Sequence, residues 1–198
     1  MAKRIEYFLS LNSPWSYLGG ERLKRIAAAA GAEVEVLPVK LGEVFGKTGG
    51  VPLPQRSPAR QAYRLVELQR WRDHLGIPIL LQPRHFPADE ILAAHAVITA
   101  GQTGGDALSL AIAVGKALWE QDRDIGDAAV LGEVAASVGI DLDGVRADPA
   151  FQGAAERHTA NTERALERQV FGAPAYIYNG ELFWGQDRLD FLERALRA

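Results

Sequence analysis

Strand-like patterning in this chain is confined to its two ends, and that separation constrains the fold more than any other feature. Ile5 to Leu11 is a short run of apolar and aromatic residues closed by Asn12-Ser13-Pro14, and its length and boundary favour a buried strand over a helix. From Pro14 to about Ala30 the pattern becomes helical, with Leu18, Leu23 and Ile26 as apolar positions and Gly31 as the stop. Glu33 to Val39 alternates as E-V-E-V-L-P-V. Pro38, which has no N–H to give a ladder, marks the end of that strand or a bulge. Near the other end, Ala175 to Tyr178 and Glu181 to Trp184 flank Asn179-Gly180, whose accessible positive φ angles suit a two-residue hairpin turn. An amphipathic helix then closes the chain, with Leu189, Leu192 and Leu196 on overlapping faces.

Between these ends the pattern is helical. Gly42 to Ser57, rich in Gly and Pro, reads as a loop or ordered linker. Helices are expected over Ala59 to Leu75, Asp89 to Ala100, Ala107 to Gln121, Ala128 to Val138 and Pro149 to Gln169, the last started by Asp148 as N-cap and Pro149 at the first helical position. A β-α-β start implies a right-handed crossover and a parallel strand pair. The expected class is therefore α/β, with residues 1–45 and 170–198 forming one unit and 46–169 forming a linker and an inserted helical domain.

Composition narrows the chemistry. The chain has 198 residues, 47% of them hydrophobic, enough for one compact unit or one core with an insertion. Its 22 basic and 25 acidic residues are interspersed, so it has no electrostatic footprint for nucleic acid or an anionic membrane. No apolar run reaches the roughly 18 residues that spanning a bilayer requires, and the N-terminus lacks a secretory pattern, so a cytoplasmic location is expected. The absence of cysteine removes disulfides, thiolate metal sites and any protein thiol nucleophile.

Two local features carry candidate chemistry. Ser13-Pro14-Trp15-Ser16-Tyr17-Leu18 falls where a strand ends and a helix begins. Unpaired N–H groups and the positive end of the helix dipole favour an anion there, beside the Ser13 hydroxyl. Spacing alone favours the plainer reading of Ser13 as an ordinary N-cap. Gly172-Ala173-Pro174-Ala175 precedes the hairpin, and its proline is either a trans strand starter or a cis residue that aims backbone groups at a ligand. The four histidines have no tight metal-ligand spacing, and Asp122 to Asp127 has a calcium-loop flavour with its glycine out of register.

The order of S-P-W-S-Y-L, Gln69-Arg70-Trp71, Gly76-Ile77-Pro78, His85-Phe86-Pro87, Phe171-Gly172-Ala173-Pro174 and Trp184-Gly185-Gln186-Asp187-Arg188-Leu189 resembles the 2-hydroxychromene-2-carboxylate isomerase family, within the DsbA-like and kappa-class glutathione transferase group of the thioredoxin fold. The resemblance implies a thioredoxin-like unit with a large helical insertion. It also implies a homodimer that acts on a small aromatic substrate with glutathione as cofactor. It places Ser13 at the glutathione sulfur, Ala173 and Pro174 at its peptide, and Trp184, Gly185, Gln186 and Asp187 in a second contact segment. Gln55 falls near a family Asn position. Ser10 stands where a relative has an acid, with Asn12 beside Ser13. For a substrate carboxylate, Lys47 is the first choice on charge and position, followed by Arg60 and Arg84. A kappa-like transferase that forms stable conjugates and a non-catalytic glutathione-binding module are the alternatives.

Overall fold

The computed structural model describes residues 3–197. Strand β1 (Lys3–Leu9) leads into helix α1 (Pro14–Ala30), which returns to β2 (Ala32–Pro38), parallel to β1 with Ile5 opposite Val34. Pro14 at the first helical position and Gly31 at φ 61° bound α1 as the sequence requires. After β2 come α2 (Leu41–Thr48), a 3₁₀ turn (Leu53–Gln55), α3 (Pro58–Leu75), α4 (Ile91–Gln102), α5 (Ala107–Trp119) and α6 (Ala128–Ala136). Then follow α7 (Leu142–Ala147), α8 (Pro149–Gln152) and α9 (Ala154–Glu167). Strands β3 (Ala175–Tyr178) and β4 (Glu181–Trp184) form the hairpin, with Asn179 and Gly180 at φ 50° and 82°. A second 3₁₀ turn (Gln186–Arg188) precedes α10 (Leu189–Arg197).

The sheet order is β2-β1-β3-β4, with β3 antiparallel to both neighbours. Helices cover both faces, which is why the central strands read as continuous apolar runs rather than as alternating ones. Ile5, Tyr7, Leu9, Tyr176 and Tyr178 enter the larger core with α1, α5 and α10. Phe8, Leu37, Ala175 and Ile177 point the other way, against Val44 of α2 and Ala165 of α9. Tyr7 and Tyr176, directly opposite in register, stack at 5.2 Å between ring centroids. Arg164 of α9 forks onto Glu35 of β2 at 2.9 and 2.8 Å, fixing that helix over the sheet edge. No helix among the described residues is long and apolar enough to cross a membrane.

Several boundaries differ from the sequence reading, each for a local reason. β1 stops at Leu9, because the Asn12 side chain pairs with both the N–H and the carbonyl of Ala88 at 2.9 Å and draws residues 10–12 out of the ladder. β2 runs one residue earlier than expected and ends on Pro38 itself. The supposed linker Gly42 to Ser57 holds all of α2 but its first residue, and Leu41 and Val44 of that helix pack into the second core; the glycine density had masked that spacing. The expected helix Pro149 to Gln169 breaks at Gly153 into α8 and α9, and α7 precedes it under its own Asp141 cap.

Gly19 shows how closely α1 approaches the sheet. A Cβ there would lie 2.8 Å from Tyr176 Oη and 2.9 Å from Gln186 Cβ. Gly19→Ala is expected to cost about 1–3 kcal/mol by overpacking, despite alanine's helix preference. Gly46→Ala in α2 meets nothing within 4 Å and should gain about 0.5–1 kcal/mol. Urea-unfolding midpoints of the two variants should move in opposite directions; equal midpoints would contradict the packing described for α1.

Candidate active site

The site grows from the turn between β1 and α1. The Ser13 N–H donates to the Ser10 carbonyl at 3.0 Å, closing the turn and leaving Ser13 extended at φ −81° and ψ 118°. Its Oγ accepts from the Ser16 N–H at 3.2 Å and faces the Ala173 carbonyl at 3.4 Å, where it is positioned to donate. Ser13 therefore caps α1 and at the same time lies at the junction of the two halves of the fold. The first turn of α1 carries no acidic side chain to offset the positive end of its dipole.

The Ala173-Pro174 peptide is cis, which resolves the choice the sequence left open. The Pro174 carbonyl accepts from the Gly185 N–H at 2.9 Å, tying this loop to the end of β4. Phe171 and Trp184 pack ring to ring at 4.7 Å, and Trp184 is half exposed at the rim. Gly172 lets them approach, since a Cβ there would lie 2.6 Å from Trp184 Nε1.

These groups border a cleft of 950 Å³ that runs from Ser13 and Trp15 across to α2 and the start of α3. Ser13, Ala173 and Trp184 line it together. Pro174 and Gly185 do not line it. The remaining sequence candidates lie elsewhere. Gln186 is buried beneath α1, with its Oε1 3.2 Å from Arg22 Nη1. Asp187 is exposed and paired with Arg188 at 2.8 Å. Gln55 on the first 3₁₀ turn and Lys47 on α2 are exposed, while Phe45 and Thr48 beside Lys47 reach the cleft. Arg84 is pinned outside by Asp122, at 2.5 Å between Nε and Oδ2.

Arg60 does line the cleft, joined by Arg56 and Arg64. Among the described residues none of the three forms an ion pair. The Arg64 guanidinium sits 5.2 Å from the Phe86 ring centroid and 5.7 Å from that of Trp119, and its Nη2 is buried without a hydrogen-bond partner. Burial, then the nearby Arg56 charge, brings its pKa down to about 10. Burial and the Arg60 charge lower Arg56 as well. Sequence reasoning passed over Arg56 and Arg64, although R-S-P-A-R-Q-A-Y-R places cations four residues apart at the start of a helix.

The other missed residue is Glu90, just ahead of α4. Its carboxylate accepts from Ser10 Oγ at 3.0 Å to both oxygens and from the Asn12 N–H at 3.0 Å. Burial raises its pKa, and these hydrogen bonds offset the rise only in part. The cleft thus has a carboxyl group beside Ser13 and three cations toward α3.

Known proteins share this arrangement of chain. The DSBA-like thioredoxin domain family matches residues 4–197. A 2-hydroxychromene-2-carboxylate isomerase of Sphingobium xenophagum is 32% identical over 201 residues, covering 99% of each chain. Its counterpart in Pseudomonas putida is 29% identical over 195 residues, covering 97% of this chain and 93% of the other. The solved structure of a 2-hydroxychromene-2-carboxylate isomerase superposes with a TM-score of 0.78 at 27% identity, over 98% of this chain and 94% of that one. The chain therefore belongs to the DSBA-like thioredoxin domain family and, within it, to the 2-hydroxychromene-2-carboxylate isomerase family.

Proposed function

We propose that this protein is a glutathione-dependent isomerase that interconverts 2-hydroxychromene-2-carboxylate and trans-o-hydroxybenzylidenepyruvate, or a closely related aromatic acid. The observation that carries the reading is Ser13, a hydroxyl on a cleft wall at the N-terminus of a helix whose first turn has no acidic side chain, in a chain with no cysteine. A hydroxyl so placed suits a sulfur brought by a ligand better than a nucleophilic role of its own. The residues present fit glutathione: Ser13 Oγ is available to donate, Ala173 is small enough for close approach to its backbone, and 950 Å³ lies in the range of ligand clefts. When bound, glutathione supplies a thiolate that adds reversibly to the conjugated carbon of the substrate and frees its double bond to rotate.

Ser13 and the α1 terminus have one electrostatic task, to favour the thiolate over the thiol. A free thiol of this kind has a pKa of about 8.5, and lowering it by about 1–1.5 units requires roughly 1.4–2 kcal/mol of preferential stabilisation. One charge-assisted hydrogen bond and a helix terminus supply energies of that size. Arg56, Arg60 and Arg64 take over the role that charge and position in the sequence gave to Lys47, holding the substrate carboxylate on the α3 side. Phe86 and Trp119 keep Arg64 in place.

The direct test is turnover of the chromene carboxylate with and without glutathione, with the product identified. Activity should require glutathione and leave it unconsumed. Undiminished activity after its complete removal would overturn the reading, and a stable conjugate as product would make the protein a transferase instead. Ser13→Ala should lower kcat/KM by about 10–30-fold at neutral pH, the equivalent of the thiolate stabilisation above. It should also cost about 0.5–2 kcal/mol of stability through the lost cap. Arg60→Gln and Arg64→Gln should each raise KM for the aromatic acid by about 10-fold or more and leave KM for glutathione unchanged, which steady-state kinetics in both substrates will check.

A further inference from the structure

We propose that Glu90 is the proton-transfer group of the cleft, taking the proton from the hydroxyl at C2 of the chromene and returning it to the phenolate oxygen released as the ring opens. The inference rests on the isomerase reading and adds a catalytic residue to it. Glu90 lines the same cleft as Ser13, and its contacts set it one turn of chain away from that side chain.

A purely structural latch would not need a carboxyl group here. The Ser10 hydroxyl and the Asn12 N–H are both donors, and a glutamine carbonyl would accept from them without bringing a charge out of water. No Lys, Arg or His among the described residues lies within ion-pair distance of Glu90 to compensate it. The carboxylate is held by donors of the turn after β1, Ser10 Oγ and the Asn12 N–H, with the Leu11 N–H and the Asn12 side chain also favouring its ionised form. The charged groups facing this carboxyl are few. Arg56, Arg60 and Arg64 line the α3 side of the same cleft, the turn after β1 brings no charged side chain, only donors from Ser10, Leu11 and Asn12, and neighbouring Asp89 is turned to the Ile91 N–H at 2.9 Å. Burial holds the Glu90 pKa above the ordinary carboxylate value, toward the range in which a carboxyl both takes and gives a proton.

The step balances without any other reagent. The proton on the C2 hydroxyl passes to Glu90, its O–H electron pair becomes the C2=O π bond, and the bond from C2 to the ring oxygen breaks with its electrons remaining on oxygen. Glu90 then gives the proton to that phenolate, ending as it began. The product is the open keto acid whose double bond must still rotate.

Glu90→Gln keeps the acceptor for Ser10 and Asn12, so thermal unfolding should be close to wild type while kcat falls by about 100-fold or more. The wild-type rate should fall with pH through two breaks, one for the thiol and one for Glu90, and twice as steeply below both; Glu90→Gln should lose the Glu90 break. Ser10→Ala removes a donor that favours the ionised form, so the Glu90 break should move to higher pH. An infrared titration of the carboxyl band in glutathione-free protein, with Glu90→Gln as the subtraction, should show the same upward move. An active wild type paired with Glu90→Gln of nearly equal kcat, or a Glu90 break that persists in that variant, overturns the Glu90 role alone. A wild type that does not turn over the chromene overturns the isomerase reading and this role with it.

Discussion

The structure turns on one hydroxyl shared between two jobs. Ser13 Oγ accepts from the Ser16 N–H, starting α1, and faces the Ala173 carbonyl across the gap between the β-α-β start and the closing hairpin. Everything that gives the cleft its shape meets near that contact. The turn from Ser10 to Ser13 fixes where α1 begins, the Ala173-Pro174 loop is tied to β4 through Gly185, and the Asn12 side chain clamps the segment after Pro87 against the turn. Capping and ligand binding are compatible roles because a helix terminus is both a place that needs an acceptor and a place that stabilises an anion.

The cleft is electrically divided. On the Ser13 side it holds a helix terminus and the Glu90 carboxyl; on the α3 side it holds three arginines with no carboxylate partner among the described residues. Burial first, and then the charge of a neighbouring arginine, lowers the pKa values of Arg56 and Arg64. Such an arrangement is relieved when an anion arrives. On the proposed reading, the aromatic acid would lie with its carboxylate toward the arginines and its reacting carbon toward the sulfur position at Ser13.

The parts legible in the sequence were those determined by short-range physics or by ordered similarity along the chain. Asn179-Gly180 specifies its own turn, Pro14 and Gly31 bound α1, and the segments around Ser13, Ala173 and Trp184 carried the family resemblance. The gaps have a common cause. Glu90 joins Ser10 and Asn12 across sequence separations of 80 and 78 residues, which no local pattern encodes. The arginines of α3 became meaningful only once α2, hidden within a glycine-rich stretch, closed the opposite wall. The resemblance implied Gln186 in the second glutathione-contact segment, whereas its side chain is buried beneath α1, a burial that gives no periodic signal in sequence; Gly185, at φ 102°, turns the chain there.

On the proposed reading, this chain without cysteine on a thioredoxin-type scaffold keeps the helix terminus suited to a thiolate and leaves the sulfur to a ligand. The measurement that tests this most directly is an ultraviolet titration of the thiolate of glutathione bound to the wild-type protein and to Ser13→Ala. The account predicts a bound thiol pKa about 1–1.5 units below the free value of about 8.5 in the wild type, with most of that depression lost in the variant. Bound glutathione that titrates at the free value in the wild type, or identically in both proteins, would contradict it.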